Sequence, residues 1–182
     1  MTTNYIHSKA RSIMRRCGSR DPFEISSALG VEIISCNDLR HLKGMYKVFA
    51  RNRFAFLNAN LRREAQRVVL AHELGHDALH RELAKTGALK EFMLYDMSTR
   101  PEYEANVFAG ELLLDDDEVF SLVRAGYDLP GIASELCTDY NLLLIKMNEM
   151  VKKGFDLRVS VAIDHRFLAK NAEYEYEQEE GC

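Results

Sequence analysis

Residues 72–76 read His-Glu-Leu-Gly-His. Two imidazoles four positions apart on a helix share one face, and both can reach a zinc ion at about 2.0–2.1 Å. Glu73, the next residue round, can accept a proton from a water at an open coordination position, which is general-base chemistry for hydrolysis. Five residues alone arise by chance in roughly one chain in a hundred of this size. The surrounding period argues against chance: Leu61, Ala65, Val68, His72, Gly75, His76, Leu79 and Leu83 fall on one helical stripe, with Asn60 as its cap. Histidines on a buried stripe are costly to leave without partners.

A catalytic zinc site takes a third protein ligand, and the glutamate type supplies it from a second helix further along the chain. Glu102 is the candidate, on a helix expected over residues 101–114. It shares a face with Ala105, Asn106 and Ala109, small residues that let the two helices approach closely. Asn106, one turn on, is placed to bond the outer nitrogen of a ligand histidine. Competing readings stay open: Thr99-Arg100-Pro101-Glu102 fits a capping box, and Glu104 or Glu111 offers an alternative carboxylate. His80 continues the series but lies a further turn along the axis, too far for tetrahedral closure, and reads as a capping or pocket-lining residue.

The elements that must position this chemistry are legible around it. Residues 3–16 form an amphipathic helix, and Asp21-Pro22 opens a short helix that Gly30 ends. Val31 to Ile34 is β-branched and strand-like, and residues 44–50 and 54–58 give two further strands about the polar turn Arg51-Asn52-Arg53, so a small antiparallel sheet is expected. Residues 84–100 read as a long, partly structured connection. Later helices are expected over 116–125, 132–137 and 142–151, with a strand at 157–163 and an acidic, disordered tail over 169–182.

With 182 residues and 47% hydrophobic content, one domain can bury an ordinary core. The formal charge of −4, from 24 basic and 28 acidic residues, gives no general attraction to polyanions, so direct nucleic-acid binding is not expected. The amino-terminal stretch lacks the apolar core of a signal peptide, and no apolar run reaches membrane-span length, so a cytoplasmic protein without membrane association is expected. Cys17, Cys36, Cys137 and Cys182 are scattered without metal or disulfide spacing and read as reduced thiols.

Together, AHELGHDALH over 71–80 and EYEANVFAGELLL over 102–114 resemble the ImmA/IrrE-type metallopeptidases of phages, integrative elements and stress responses. Gly44-Met45-Tyr46 and Phe56-Leu57-Asn58 resemble the sheet that leads into that family's active-site helix. The resemblance implies that His72, His76 and Glu102 bind Zn2+ and that Glu73 is the catalytic acid/base. It implies an α+β fold, with a helix-dominated zincin-like core, a small antiparallel sheet and a small, helix-turn-helix-like helical part after it. The expected organisation is one metallopeptidase domain over 1–168, with the core over about 20–128, the helical part over about 129–168, and the tail beyond. Leu114-Asp115 stands where the family usually has a methionine-proline pair, a departure at a helix end rather than at a chemical group.

The function expected from this resemblance is zinc-dependent limited proteolysis of a cytoplasmic regulator, a helix-turn-helix repressor of a phage or mobile element. The alternative is a non-enzymatic metal-binding regulator that binds a repressor or DNA. Tyr46, Tyr95, His80 and His165 are candidates to stabilise the tetrahedral oxyanion, and sequence does not rank them.

Overall fold

Two short local signals set the entry to the sheet. Asp21 accepts a hydrogen bond from the Phe23 amide at 2.9 Å and Pro22 starts the next helix, while Gly30 ends it in the left-handed conformation at φ 68°. The computed structural model describes residues 2–39, 42–87, 89–91 and 99–157. In chain order it contains α1 (Thr3–Cys17), α2 (Pro22–Leu29), β1 (Val31–Cys36), β2 (Gly44–Phe49), β3 (Asn52–Asn58), α3 (Arg63–Leu79), α4 (Arg81–Thr86), β4 (Leu89–Glu91), α5 (Arg100–Leu113), α6 (Asp116–Arg124), α7 (Leu129–Glu135) and α8 (Tyr140–Lys152). The fold is α+β and helix-dominated, as expected.

The sheet has the order β1-β3-β2-β4 and is mixed rather than wholly antiparallel. β2 pairs antiparallel with β3 and β4, but β1 pairs parallel with β3, Val31 opposite Arg53 through Cys36 opposite Asn58. The physical reason lies in the connection between β1 and β2, which reverses direction across the end of β3 instead of forming a tight hairpin. Asn58 pins that connection, its side-chain amide donating to the Leu39 and Leu42 carbonyls and its backbone N–H to Lys43. The gap it leaves is filled by β3. The β2–β3 turn is Ala50-Arg51, both at positive φ (48° and 69°), with Phe49 opposite Asn52. It therefore lies one residue earlier than the polar run suggests. Double left-handed turns usually carry Asn or Gly, and neither stands at these two positions.

Helix α3 crosses the sheet and is buried continuously from Val68 to Asp77. Its boundaries differ from the expected ones. Arg62 occupies the N-cap without a side-chain bond, Asn60 instead joins the turn built on Asn58, and the helix stops at Leu79, leaving Leu83 in α4 exposed. Asp77 ties α3 to the strands beneath: its carboxylate accepts from the Tyr46 hydroxyl at 2.5 Å, from Arg53 at 3.0 Å and from Arg81 at 3.0 Å. Burial and the neighbouring carboxylate hold the Tyr46 phenol far above its ordinary value, so it stays a donor. The connection over 84–100 contributes the end of α4, the short edge strand β4 and the start of α5.

Helix α5 packs on α3 along one side and on α1 and α8 along others. Where α1, α5, α6 and α8 meet, charges replace part of the apolar core. Buried Lys146 lies 3.0 Å from Glu111 and 2.7 Å from Asp116, with Lys153 and Arg11 bound to the same two carboxylates. His7 sits between Glu111 at 3.0 Å and Glu149 at 3.4 Å. Of the helices after α5, α6 and α8 lie close to their expected spans, whereas α7 runs from Leu129 to Glu135, starting three residues before the expected 132, with Pro130 in its first turn. Among the described residues no helix is long and apolar enough to cross a membrane. Of the strand expected over 157–163 only Leu157 is described, outside any strand, and the rest, with the tail, lies outside the described residues.

Candidate metal centre

Helix α3 places His72 and His76 on successive turns, both about 98% buried, so their rings meet edge to face with centroids 4.7 Å apart. Helix α5 brings Glu102 against them from its first turn, where Thr99 caps the helix through the Glu102 N–H. The Thr99 half of the capping box thus forms, while the Glu102 carboxylate faces the histidines instead of completing it. The close approach depends on Gly75, because a Cβ there would lie 3.0 Å from the Ala105 Cα and 3.1 Å from its carbonyl oxygen. Among the described residues, His72, His76 and Glu102 are the His, Cys, Asp or Glu side chains gathered closely enough to hold a metal.

The three facing atoms are His72 Nε2, His76 Nε2 and Glu102 Oε2, with separations of 3.0, 3.1 and 3.5 Å. A tetrahedral ion with bonds of about 2.0–2.1 Å has ligand–ligand edges of about 3.3 Å, so the triangle has the size zinc requires. The outer hydrogen bonds decide which nitrogens carry protons. Asn106 Oδ1 accepts from His72 Nδ1–H at 2.9 Å, which leaves the lone pair of a neutral His72 on Nε2. Glu104 accepts from His80 Nε2–H at 2.9 Å; where the His80 ring carries that one proton, its lone pair is on Nδ1 and accepts from His76 Nδ1–H at 3.1 Å. The His76 lone pair is then also on Nε2. Two lone pairs and a carboxylate oxygen pointing at one another repel unless a cation lies between them, so the donor set fits a metal.

The electrostatics favour the same states. Burial, opposed by Glu102 and assisted by His72 and His80, lowers His76 to about 4, so its ring is neutral near neutral pH. Burial alone would raise Glu102; where a ring N–H of His72 or His76 turns to it in place of a cation, the carboxyl is held well below the ordinary carboxylate range. Neutral imidazole and ionised carboxylate are the forms that bind metals.

Glu73 is 1% exposed, on the α3 turn that faces β2. Its carboxylate occupies the space beside Gly44, where a Cβ would come within 2.5 Å of Oε1. Of the rival carboxylates, Glu104 meets His80 and Arg100, and Glu111 lies in the charged cluster with Lys146. Neither joins the triangle. Of the oxyanion candidates, Tyr46 donates to Asp77 and His80 is held between His76 and Glu104, while Tyr95 and His165 lie outside the described residues. Reasoning from helical period missed Asp77, which lies off the apolar stripe, and the Glu104 partnership of His80.

Comparison with known proteins bears on this geometry. The model of the IrrE N-terminal-like peptidase domain matches residues 27–129, which include α3, α5 and all four strands. The chain belongs to the ImmA/IrrE metallopeptidase family. It is 33% identical over 128 residues to the uncharacterized immunity region protein 2 of Bacillus phage phi105, covering 70% of this chain and 80% of that protein. It is 28% identical over 149 residues to the metallopeptidase ImmA of Bacillus subtilis (strain 168), covering 78% and 86% of the two chains. As a member of this family the protein is a metallopeptidase, and the family implies a metal. The family match stops before α8, yet α8 supplies Lys146 to the charged cluster on α5.

Proposed function

We propose that the protein is a zinc-dependent endopeptidase that performs limited proteolysis of a cytoplasmic regulator, a helix-turn-helix repressor of a phage or mobile element. The observation that carries the metal reading is the convergence of His72 Nε2, His76 Nε2 and Glu102 Oε2 with their lone pairs facing inward. In this reading those three atoms hold the zinc and Asn106 orients His72. Zinc so held supplies Lewis acidity toward a carbonyl oxygen and toward water. Glu73 takes the proton from the attacking water and later delivers it to the nitrogen of the leaving amine, so one carboxylate serves as base and then as acid. Its buried position beside Gly44 restricts its rotamers and keeps it at the sheet side of the helix.

The regulatory substrate is supported by the kind of relative matched, a phage immunity-region protein, rather than by any contact in the structure. The same reading treats residues 1–168 as one peptidase domain followed by a tail over 169–182. Packing of α8 on α5 supports this arrangement. The test is incubation of zinc-loaded protein with the product of the adjacent repressor gene, followed by mass spectrometry of fragments. Discrete cleavage by wild type and none by a folded, zinc-binding Glu73→Gln variant are expected. A repressor left intact under inducing conditions, yet bound, would favour the non-enzymatic regulator. Full activity of Glu73→Gln would exclude Glu73 as the base.

A further inference from the structure

We propose that His80 and Glu104 form a positioning pair that holds His76 in the tautomer whose Nε2 lone pair faces His72 and Glu102. The proposal rests on the metal-centre reading and concerns residues that reading leaves without a task. Helix α3 ends at Leu79, and His80, at φ −126° and ψ 23°, leaves the helical path while its N–H still donates to the His76 carbonyl at 2.8 Å. The turn swings its ring back along the helix. It therefore reaches His76 Nδ1 at 3.1 Å instead of joining the inner triangle. Its other nitrogen meets Glu104 Oε2 at 2.9 Å, and both side chains are buried. Arg100, largely exposed, donates to the second Glu104 oxygen at 2.9 Å and carries the chain of bonds to solvent.

The direction of these bonds follows from the acceptor at the outer end. A carboxylate accepts only, so His80 Nε2 is the donor, and a His80 ring carrying that single proton accepts at Nδ1. One proton can lie between two facing Nδ1 atoms, and it then belongs to His76. Without Glu104, the neutral His80 ring is free to take the other tautomer and donate from Nδ1. His76 would then carry its proton on Nε2, where it blocks coordination. The two ligand histidines are thus each oriented by α5, His72 by Asn106 and His76 by Glu104 through His80. One helix supplies a ligand and both orienting groups.

The full-length protein tests this in two ways. Long-range proton–nitrogen correlation on 15N-histidine-labelled protein reads the His76 tautomer without metal, and chelator competition reads zinc affinity. Glu104→Gln, whose amide oxygen can still accept from His80, should keep the Nδ1–H tautomer and remain within about threefold of wild-type affinity, whereas Glu104→Leu should lose the tautomer preference and bind zinc about 10–100-fold more weakly. Glu104→Met and His80→Phe carry the same readings, so the test does not hang on one variant folding. A folded Glu104→Leu with wild-type tautomer and affinity would overturn the proposal, as would Glu104→Gln falling as far as Glu104→Leu. Wild-type protein that binds no zinc while His76 keeps its Nδ1–H would overturn the metal-centre reading and support the pair.

Discussion

Replacing Gly75 by alanine tests whether the α3–α5 approach sets the metal centre. In the middle of a helix the change should stabilise by about 1 kcal/mol through propensity. Here the new Cβ would lie 3.0 Å from the Ala105 Cα, 3.1 Å from its oxygen and 3.3 Å from its Cβ. Carbon atoms in contact prefer about 3.5–4.0 Å, so α5 must retreat by about 0.5 Å. The obstacle is mostly backbone and has no rotamer to change. Overpacking of this kind costs about 1–3 kcal/mol, leaving a net loss of about 1 kcal/mol, or a Tm lower by about 2–4 °C. A shift of about 0.5 Å is also the whole tolerance of a preorganised site, and Glu102 and Asn106 move with Ala105, so zinc affinity should fall by about tenfold. Gly110→Ala on α5 is the control: its Cβ meets nothing closer than 3.8 Å, and it should gain stability without changing affinity. Thermal unfolding followed by circular dichroism, with zinc titration, decides. Gly75→Ala matching Gly110→Ala in both measurements would refute the reasoning.

Removal and readdition of metal should shift stability by mass action: free zinc at about 100 times Kd should add about 2.7 kcal/mol, a Tm rise of about 5–10 °C that Glu102→Ala greatly reduces. Lys146→Met should destabilise by about 3 kcal/mol in denaturant titration, at the low end for a broken buried pair because Arg11 and Lys153 still bind Glu111 and Asp116. A cost under about 1 kcal/mol would show the pair to be replaceable. Stability should also bend with pH at both ends. Burial raises the Glu149 carboxyl, but His7, Lys152 and Tyr103 outweigh it and lower the group from 4.5 to about 2, so its contribution is full above about 4.5 and is lost as pH falls toward 2. Burial opposes the charge on His7, yet Glu111 and Glu149 raise it above 6.5; its contribution is full below that value and fades as pH climbs through the raised one. Glu149→Gln should flatten the acid limb and His7→Gln the neutral one, each read from unfolding midpoints across pH.

Much of this molecule was legible in one dimension because its signals are local. Histidines four apart on an apolar stripe specify a buried helix with two convergent rings, Asp21-Pro22 and Gly30 mark the ends of α2, and Glu102 with Asn106 one turn on specify a second helix face. What the chain order could not carry is which distant atoms share a neighbour. The parallel β1–β3 pairing depends on a connection that passes over a strand not yet made, and the Ala50-Arg51 turn lacks the residues that usually announce it. Glu104 and Glu111, equal to Glu102 as carboxylates in the sequence, differ only in the helix side on which they emerge and in what packs there, His80 for one and Lys146 for the other. Proton placement on His72 and His76 is likewise tertiary, since the acceptors at the outer ends of these bonds lie on α5, Asn106 for His72 and Glu104, through His80, for His76. Local periodicity determined which side chains share a face; the crossing of α3 and α5 decided which of them meet.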